Sequence, residues 1–178
     1  VSDYNYGVAD ATLFEEARTI AERRRIPIMV DSRFRLGGFW KATSATPNQD
    51  EVEQILGKGF TAADCESLRE RSAFEALLIT NGSKGMLLVE RGRPPLQIDA
   101  VGSPEAVDVT GAGDTVIAVY SMGLACGMSF ADAARAANHA GGLVVMKKGT
   151  ATITADELIG SLRAYSDPEI AKQASPEN

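Results

Sequence analysis

The stretch Ala76-Leu77-Leu78-Ile79-Thr80 constrains the fold more than any other part of the chain, because it is short and almost wholly apolar. A strand with one wet face would alternate polar and apolar positions, so this run reads as a strand covered on both faces. Pro27-Ile28-Met29-Val30-Asp31 has the same character, with a carboxylate at its C-terminal end that would sit at the edge of a sheet. Thr43-Ser44-Ala45-Thr46-Pro47 reads as a weaker strand. Helical patterns fill the intervals. Over residues 10–24, Ala11, Phe14, Ala17, Ile20 and Ala21 recur at helical spacing; Asn48 reads as the N-cap of a helix carrying Glu51, Val52, Ile55 and Leu56 and ended by Gly57; a third helix spans about 61–73. Strands alternating with helices predict an open α/β sheet with helices on its faces.

Beyond Thr80 the chain changes character. Met86–Glu90 and Leu96–Ile98 flank the turn Arg91-Gly92-Arg93-Pro94-Pro95 and predict a short antiparallel hairpin. Residues 114–126 and 130–146 are long, Ala/Gly-rich and poor in charge, as in closely packed buried helices. Thr154-Ala155-Asp156-Glu157 reads as the capped start of a last helix reaching about 165, and the polar segment 166–178, with two prolines, is expected to fray. With no internal repeat and no compositional break, residues 1–165 are expected to form one unit.

Composition narrows the function. The 178 residues are 44% hydrophobic and 24% charged, enough apolar surface for a real core. Eighteen Lys+Arg against 24 Asp+Glu give a formal charge of −6, which repels nucleic acid and anionic lipid, so a phosphate would have to be gripped locally. Cys65 and Cys126 are the only cysteines and form no CxxC, which predicts two reduced thiols in a cytosolic setting rather than a disulfide framework or a cysteine metal site. No basic segment leads into an apolar one at the N-terminus and no run of apolar residues is long enough to span a bilayer, so neither export nor a membrane span is expected. His139 is the single histidine, which leaves no imidazole pair and makes a structural role the expectation. The basic run Arg23-Arg24-Arg25 at a helix end is accounted for by the helix dipole.

The chemistry points to Asp108-Val109-Thr110-Gly111-Ala112-Gly113-Asp114-Thr115, a glycine-rich turn running straight into an apolar helix. Two glycines free the backbone to aim successive N–H groups at one point, and the helix N-terminus adds partial positive charge there. Asp114 is itself an acid at that positive end, and an ordinary helix cap would explain it equally well. Two familiar phosphate loops do not fit: Gly-Lys-Ser/Thr is absent after the glycines, and Val116 stands where a dinucleotide fingerprint needs its third glycine.

Asp108–Asp114 closely resembles the C-terminal signature of the PfkB, or ribokinase-like, sugar kinases. Asn48-Gln-Asp-Glu51 resembles that family's N-x-x-E motif, Thr80-Asn-Gly82-Ser-Lys-Gly85 its T-x-G-x-x-G turn, and Asn138 falls in the helix where the family faces the adenine. Asp108–Ile117, Lys148-Gly149-Thr150-Ala151-Thr152-Ile153 and the opening Ser2-Asp3-Tyr4 look most like the heptose 7-phosphate kinase branch, which feeds ADP-heptose synthesis for lipopolysaccharide. The resemblance implies the C-terminal portion of a ribokinase-like, mostly parallel sheet, with the first strands, most sugar-binding residues and a β-lid outside this sequence. It also implies an ATP- and Mg²⁺-dependent phosphotransferase in the cytoplasm. In that picture Asp114 is the general base; Gly111, Ala112 and Gly113 form the anion hole; Asn48 and Glu51 order Mg²⁺ through water; Thr80, Gly82, Gly85 and Asn138 meet the nucleotide. A monovalent cation such as K⁺ would lie near Asp108, Thr110 and Gly149. The implied partners are ATP and a small sugar phosphate, with homodimerisation through the lid open to a full-length member. Asp31-Ser32-Arg33 departs from the family's usual Asp-Pro-Lys, and the loop to Trp40 is shorter.

Each motif also has a plain structural account. Asn48 and Glu51 suit an N-cap with a first-turn acid, Thr80–Gly85 suits a turn between strands, and Asn138 suits a satisfied core amide. Other acceptors, such as a hexose, ribose or nucleoside, and a non-catalytic nucleotide-binding module stand as alternatives.

Overall fold

The structure, a computed structural model, describes residues 1–102 and 105–166. Six strands form one sheet whose spatial order follows the sequence: β1 (Ser2–Asp3), β2 (Met29–Ser32), β3 (Ser44–Ala45), β4 (Ala76–Thr80), β5 (Met86–Glu90) and β6 (Leu96–Ile98). The first four are parallel, and β5 and β6 return antiparallel as the hairpin the turn at 91–95 predicts.

The period of two along β4 divides the interior. Ala76 and Leu78 face one core, with Met29, Met86, Leu88 and the helices α4 (Ala112–Ala125) and α5 (Phe130–Val144). Leu77 and Ile79 face the other, with Phe14 of α1 (Ala11–Arg24), Val52 of α2 (Gln49–Leu56) and Leu68 of α3 (Ala62–Arg71). A sheet covered on both faces is the arrangement that an unbroken apolar strand demands. On α5 five of the eight buried residues are alanines, which lets α4 and α5 lie close together and close to the sheet. Tyr120 of α4 is fully buried; its hydroxyl lies 3.3 Å from Ser44 Oγ, tying α4 to β3, and burial pushes its phenol far above the ordinary range. The last helix, α6 (Ala155–Ser166), begins with a reciprocal cap between Thr154 and Glu157.

Some elements differ from those expected. The helix expected at 114 starts at Ala112, because Gly111 already serves as its N-cap. The third strand is confined to Ser44–Ala45. The strand β1 carries no sequence signal, being two residues long, yet it pairs in parallel with β2 and is pinned by Asp3. That carboxylate is buried and accepts hydrogen bonds from Arg35 Nη2 (2.8 Å) and Nε (3.2 Å), Ser32 Oγ (2.9 Å) and the Asn5 N–H (2.9 Å). The Arg35 guanidinium holds it below the usual carboxylate range. The segment expected to fray lies outside the described residues beyond Ser166. Among the described residues both cysteines are free, Cys65 buried with its thiol pushed up to about 11, and no helix is long and apolar enough to cross a membrane.

Gly85, at the head of the hairpin, is fixed by geometry. Its φ is +85°, and an added Cβ would stand 2.0 Å from the Ile98 carbonyl oxygen and 2.7 Å from the Ala100 nitrogen. Gly85→Ala should therefore lower the unfolding free energy by about 2–4 kcal/mol through left-handed strain and overpacking together. Chemical denaturation measures this, and an unchanged midpoint would contradict the close approach.

Candidate active site

Parallel strands bring their C-terminal ends to one edge, and connections that leave that edge converge there. Asp31 stands next to the end of β2, Asn48 follows β3, Thr80 ends β4, and the N-terminus of α4 arrives at the same edge. A cavity of about 200 Å³ opens beside this edge, and Thr80, Gly82, Gly85, Ala112, Gly113 and Asn138 all line it. The remainder of its wall is largely aliphatic, with Met86, Val101 and Val116, as suits a flat heteroaromatic ring. Asn48 lies in a more open depression that shares Thr80 and Gly82 with the cavity.

The turn into α4 carries the electrostatics. Gly111 caps the helix in the left-handed conformation, φ +78°, which a glycine adopts without strain. The Ala112 N–H bonds to the Val109 carbonyl and the Thr115 N–H to the Gly111 carbonyl. Among the described residues the N–H groups of Gly113 and Asp114 have no acceptor within the protein. An added Cβ on Gly113 would meet nothing within 4 Å and Gly113 lines the cavity, so the turn borders open space. Two unpaired amides at the positive end of a long helix, bordering open space, make an anion site. The turn is held from behind by Asp108, whose carboxylate accepts from the Thr110 N–H (2.9 Å) and the Gly149 N–H (3.0 Å) and is held below its usual range by the Thr110 bond first.

Asp114 does not cap its own helix. Its carboxylate is exposed at the strand-end edge and accepts a hydrogen bond from the Tyr4 hydroxyl at 3.1 Å. Two further acids stand near. Asp31 is raised by burial and then by the charge of Asp114; Glu51 is raised by burial and by Asp31, against the lowering effect of the Asn48 N–H. Glu51 and Asn48 form a full capping box, Asn48 N–H to Glu51 Oε2 and Glu51 N–H to Asn48 Oδ1, each 2.9 Å. The structural account of these two residues therefore holds, and one Glu51 oxygen is outside the cap. Asn138 is also satisfied, donating from Nδ2 to the Asp99 carbonyl at 2.7 Å, while lining the cavity. His139 behaves as a structural residue, 2% exposed, with Nδ1 2.7 Å from Ser161 Oγ and its ring edge-on to Tyr165.

The cavity thus gathers six of the candidate residues, and the acids form a second group across the turn. The profile described as pfkB family carbohydrate kinase matches residues 6–157. The chain belongs to this family. Its relatives include proteins named bifunctional protein HldE: that of Geobacter sulfurreducens is 42% identical over 170 residues, covering 91% of this chain and 34% of that protein. The one from Nitrosococcus oceani is 42% identical over 165 residues, covering 89% and 34%. The chain spans about a third of the length of the curated relatives it matches. Among solved structures, a ribokinase of Arabidopsis thaliana complexed with ribose and ATP superposes with a TM-score of 0.74 at 21% identity, over 86% of this chain and 53% of that one. The Escherichia coli phosphofructokinase-2 in complex with potassium gives 0.76 at 18% identity, over 89% and 54%. Both share the PfkB fold with this chain.

Two residues at the site, Tyr4 and Asp31, were quoted from the sequence without the contacts they make. Tyr4 reaches Asp114 across 110 positions of sequence, and no local pattern announces such a contact. Asp31 was visible only as an acid ending a strand; its coupling to Asp114 and Glu51 needs the folded chain. The crowding of acids has a measurable cost. Glu51→Gln, which preserves the capping box, should raise the melting temperature at neutral pH. A folded-state pKa above the unfolded one penalises the folded state once pH exceeds the unfolded value, so the gain should vanish at pH below the ordinary carboxylate range. Thermal unfolding at the two pH values tests the sign, and a gain of equal size in acid would count against it.

Proposed function

We propose that this chain carries the nucleotide-binding and phosphoryl-transfer part of a kinase that moves the γ-phosphoryl group of ATP to a hydroxyl of a sugar or sugar phosphate. The observation that carries this is the pairing of two unpaired amides, Gly113 and Asp114, with a carboxylate that does not cap its own helix. Phosphoryl transfer asks a protein mainly to position its partners and to stabilise charge on the migrating group, and this turn supplies both. The Asp114 carboxylate takes the proton from the acceptor hydroxyl as its oxygen bonds to the γ-phosphorus. The bond from that phosphorus to the β,γ-bridging oxygen breaks, and ADP leaves with the electron pair. The unpaired amides of Gly113 and Asp114 face the transferring oxygens, the Ala112 amide being held by the Val109 carbonyl, and the aliphatic cavity holds the base, with Thr80 and Gly82 toward the phosphates.

Mg²⁺ suits the donor set in a particular way. Among the described residues no three acidic, cysteine or histidine side chains converge to hold an ion directly. Asp31 is nonetheless raised by burial and by the charge of Asp114, and Glu51 by burial and by the charge of Asp31, an arrangement that an adjacent cation would relieve. Mg²⁺ keeps several waters, so Asn48 and Glu51 would act on its hydration shell, and the ion would supply neutralisation of phosphate charge. A monovalent cation beside Thr110 and Gly149 would be held by carbonyl oxygens, since both Asp108 oxygens already accept N–H donors. Heptose 7-phosphate is the favoured acceptor, on the resemblance of Asp108–Ile117 and Lys148–Ile153 to that branch and on 42% identity to proteins named HldE. The cytoplasm is the corresponding compartment.

In protein of the relatives' length, supplied with ATP, Mg²⁺ and a panel of sugar phosphates, Asp114→Asn should lower transfer by ~10²–10⁴-fold and leave nucleotide affinity within about twofold. Near-normal turnover would overturn the base assignment. Nucleotide binding by the parent without transfer to any acceptor would favour the non-catalytic module. Gly113→Val should abolish transfer at unchanged melting temperature, because its side chain enters space the fold leaves open. Gly111→Ala should instead cost about 1–2 kcal/mol of stability, from its φ of +78°. Titration calorimetry and thermal unfolding separate the two.

A further inference from the structure

We propose that Tyr4 is a positioning residue for phosphoryl transfer, its hydroxyl fixing the Asp114 carboxylate so that one oxygen faces the acceptor hydroxyl. This rests on the reading of Asp114 as the base. An acid in the first turn of a helix is ordinarily held by capping its own N-terminus, and here Gly111 occupies the cap without any side-chain bond. Asp31 lies close enough to repel Asp114. Unheld, the exposed carboxylate would sample several rotamers, few of them aimed at a substrate.

Tyr4 is itself well anchored. It follows Asp3, whose buried carboxylate is gripped by Arg35 and Ser32 and accepts the N–H of Asn5, so the backbone on both sides of Tyr4 is fixed. The Arg33 guanidinium sits 5.2 Å from the Tyr4 ring centroid and steadies the ring from outside. From there the hydroxyl donates to Asp114 Oδ1 at 3.1 Å. A hydrogen bond to an ionised acceptor is stronger than a neutral one, and a carboxylate has lone pairs to spare on Oδ2 for a second hydroxyl. Tyr4 thus links β1, the outermost parallel strand, to the helix that carries the anion site. At 43% exposure the side chain is no core residue, so removing one oxygen leaves the fold intact.

Tyr4→Phe, assayed in protein of the relatives' length with ATP, Mg²⁺ and heptose 7-phosphate, should lower kcat by about tenfold. KM for both substrates should stay within about twofold and the melting temperature should not move, since neither substrate is bound through the lost oxygen. In an Asp114→Asn background the same change should leave the residual rate unaltered, because the tyrosine acts through the carboxylate. A kcat within twofold of the parent, or an equal loss in both backgrounds, would overturn the role of Tyr4 while leaving Asp114 as base. Near-parental turnover of Asp114→Asn would overturn the base reading and this inference with it.

Discussion

The burial of β4 on both faces governs how the rest of the molecule can be arranged. Once Ala76 and Leu78 are covered by α4 and α5, and Leu77 and Ile79 by the α1–α3 layer, neither face of the sheet can hold a polar ligand. Polar chemistry is driven to the strand ends, where backbone groups run out of ladder partners. Four parallel strands deliver their C-termini to the same edge, so side chains distant in sequence meet there without a dedicated scaffold. The antiparallel β5 and β6 then lie on the far side of β4, and Gly85, at their head, lets the hairpin press against the strand that closes the cavity.

Much of this was legible in the residues. The apolar run of β4, the period of α1 and the reciprocal caps at Asn48 and Thr154 are local signals, and local signals survive the loss of tertiary context. The two-residue strands were not legible in the same way. Nothing in Ser2–Asp3 prefers extended backbone; the pairing exists because Asp3 finds Arg35 and Ser32 beside β2. Ser44–Ala45 is a strand for the width of one register step because its neighbours on both sides are strands. In each case tertiary pairing, not propensity, makes the element.

At the candidate site the glycine turn carried its own meaning, since unpaired amides at a helix start follow from sequence spacing alone. The fine placement did not. Asn48, Glu51 and Asn138 show that a structural and a functional account need not compete: a capping box orients Glu51 at the strand-end edge, and an amide bond to Asp99 secures the helix position that lines the cavity. A residue already satisfied by its own backbone is a better-defined contact than a free one, because its rotamer is settled before a ligand arrives. Tyr4 and Asp31 acquire their significance only from Asp114, and that relation is a property of the folded edge.

That edge sets two electrostatic demands against each other. The amides of Gly113 and Asp114 and the dipole of α4 favour negative charge, while Asp31, Glu51 and Asp114 itself disfavour it within the same small region. A fold selected for stability alone would not place Glu51 and Asp31 where burial and a neighbouring carboxylate, Asp31 for the one and Asp114 for the other, raise them. Their cost would be intelligible under the proposed reaction, which brings in a polyphosphate together with a divalent cation: the amides would meet the transferring oxygens, the acids the hydrated ion, and one acid the incoming hydroxyl. In that arrangement the tyrosine that follows β1 would have a specific part, since among three acids it donates to Asp114 alone and so would set the proposed proton acceptor apart from the other two.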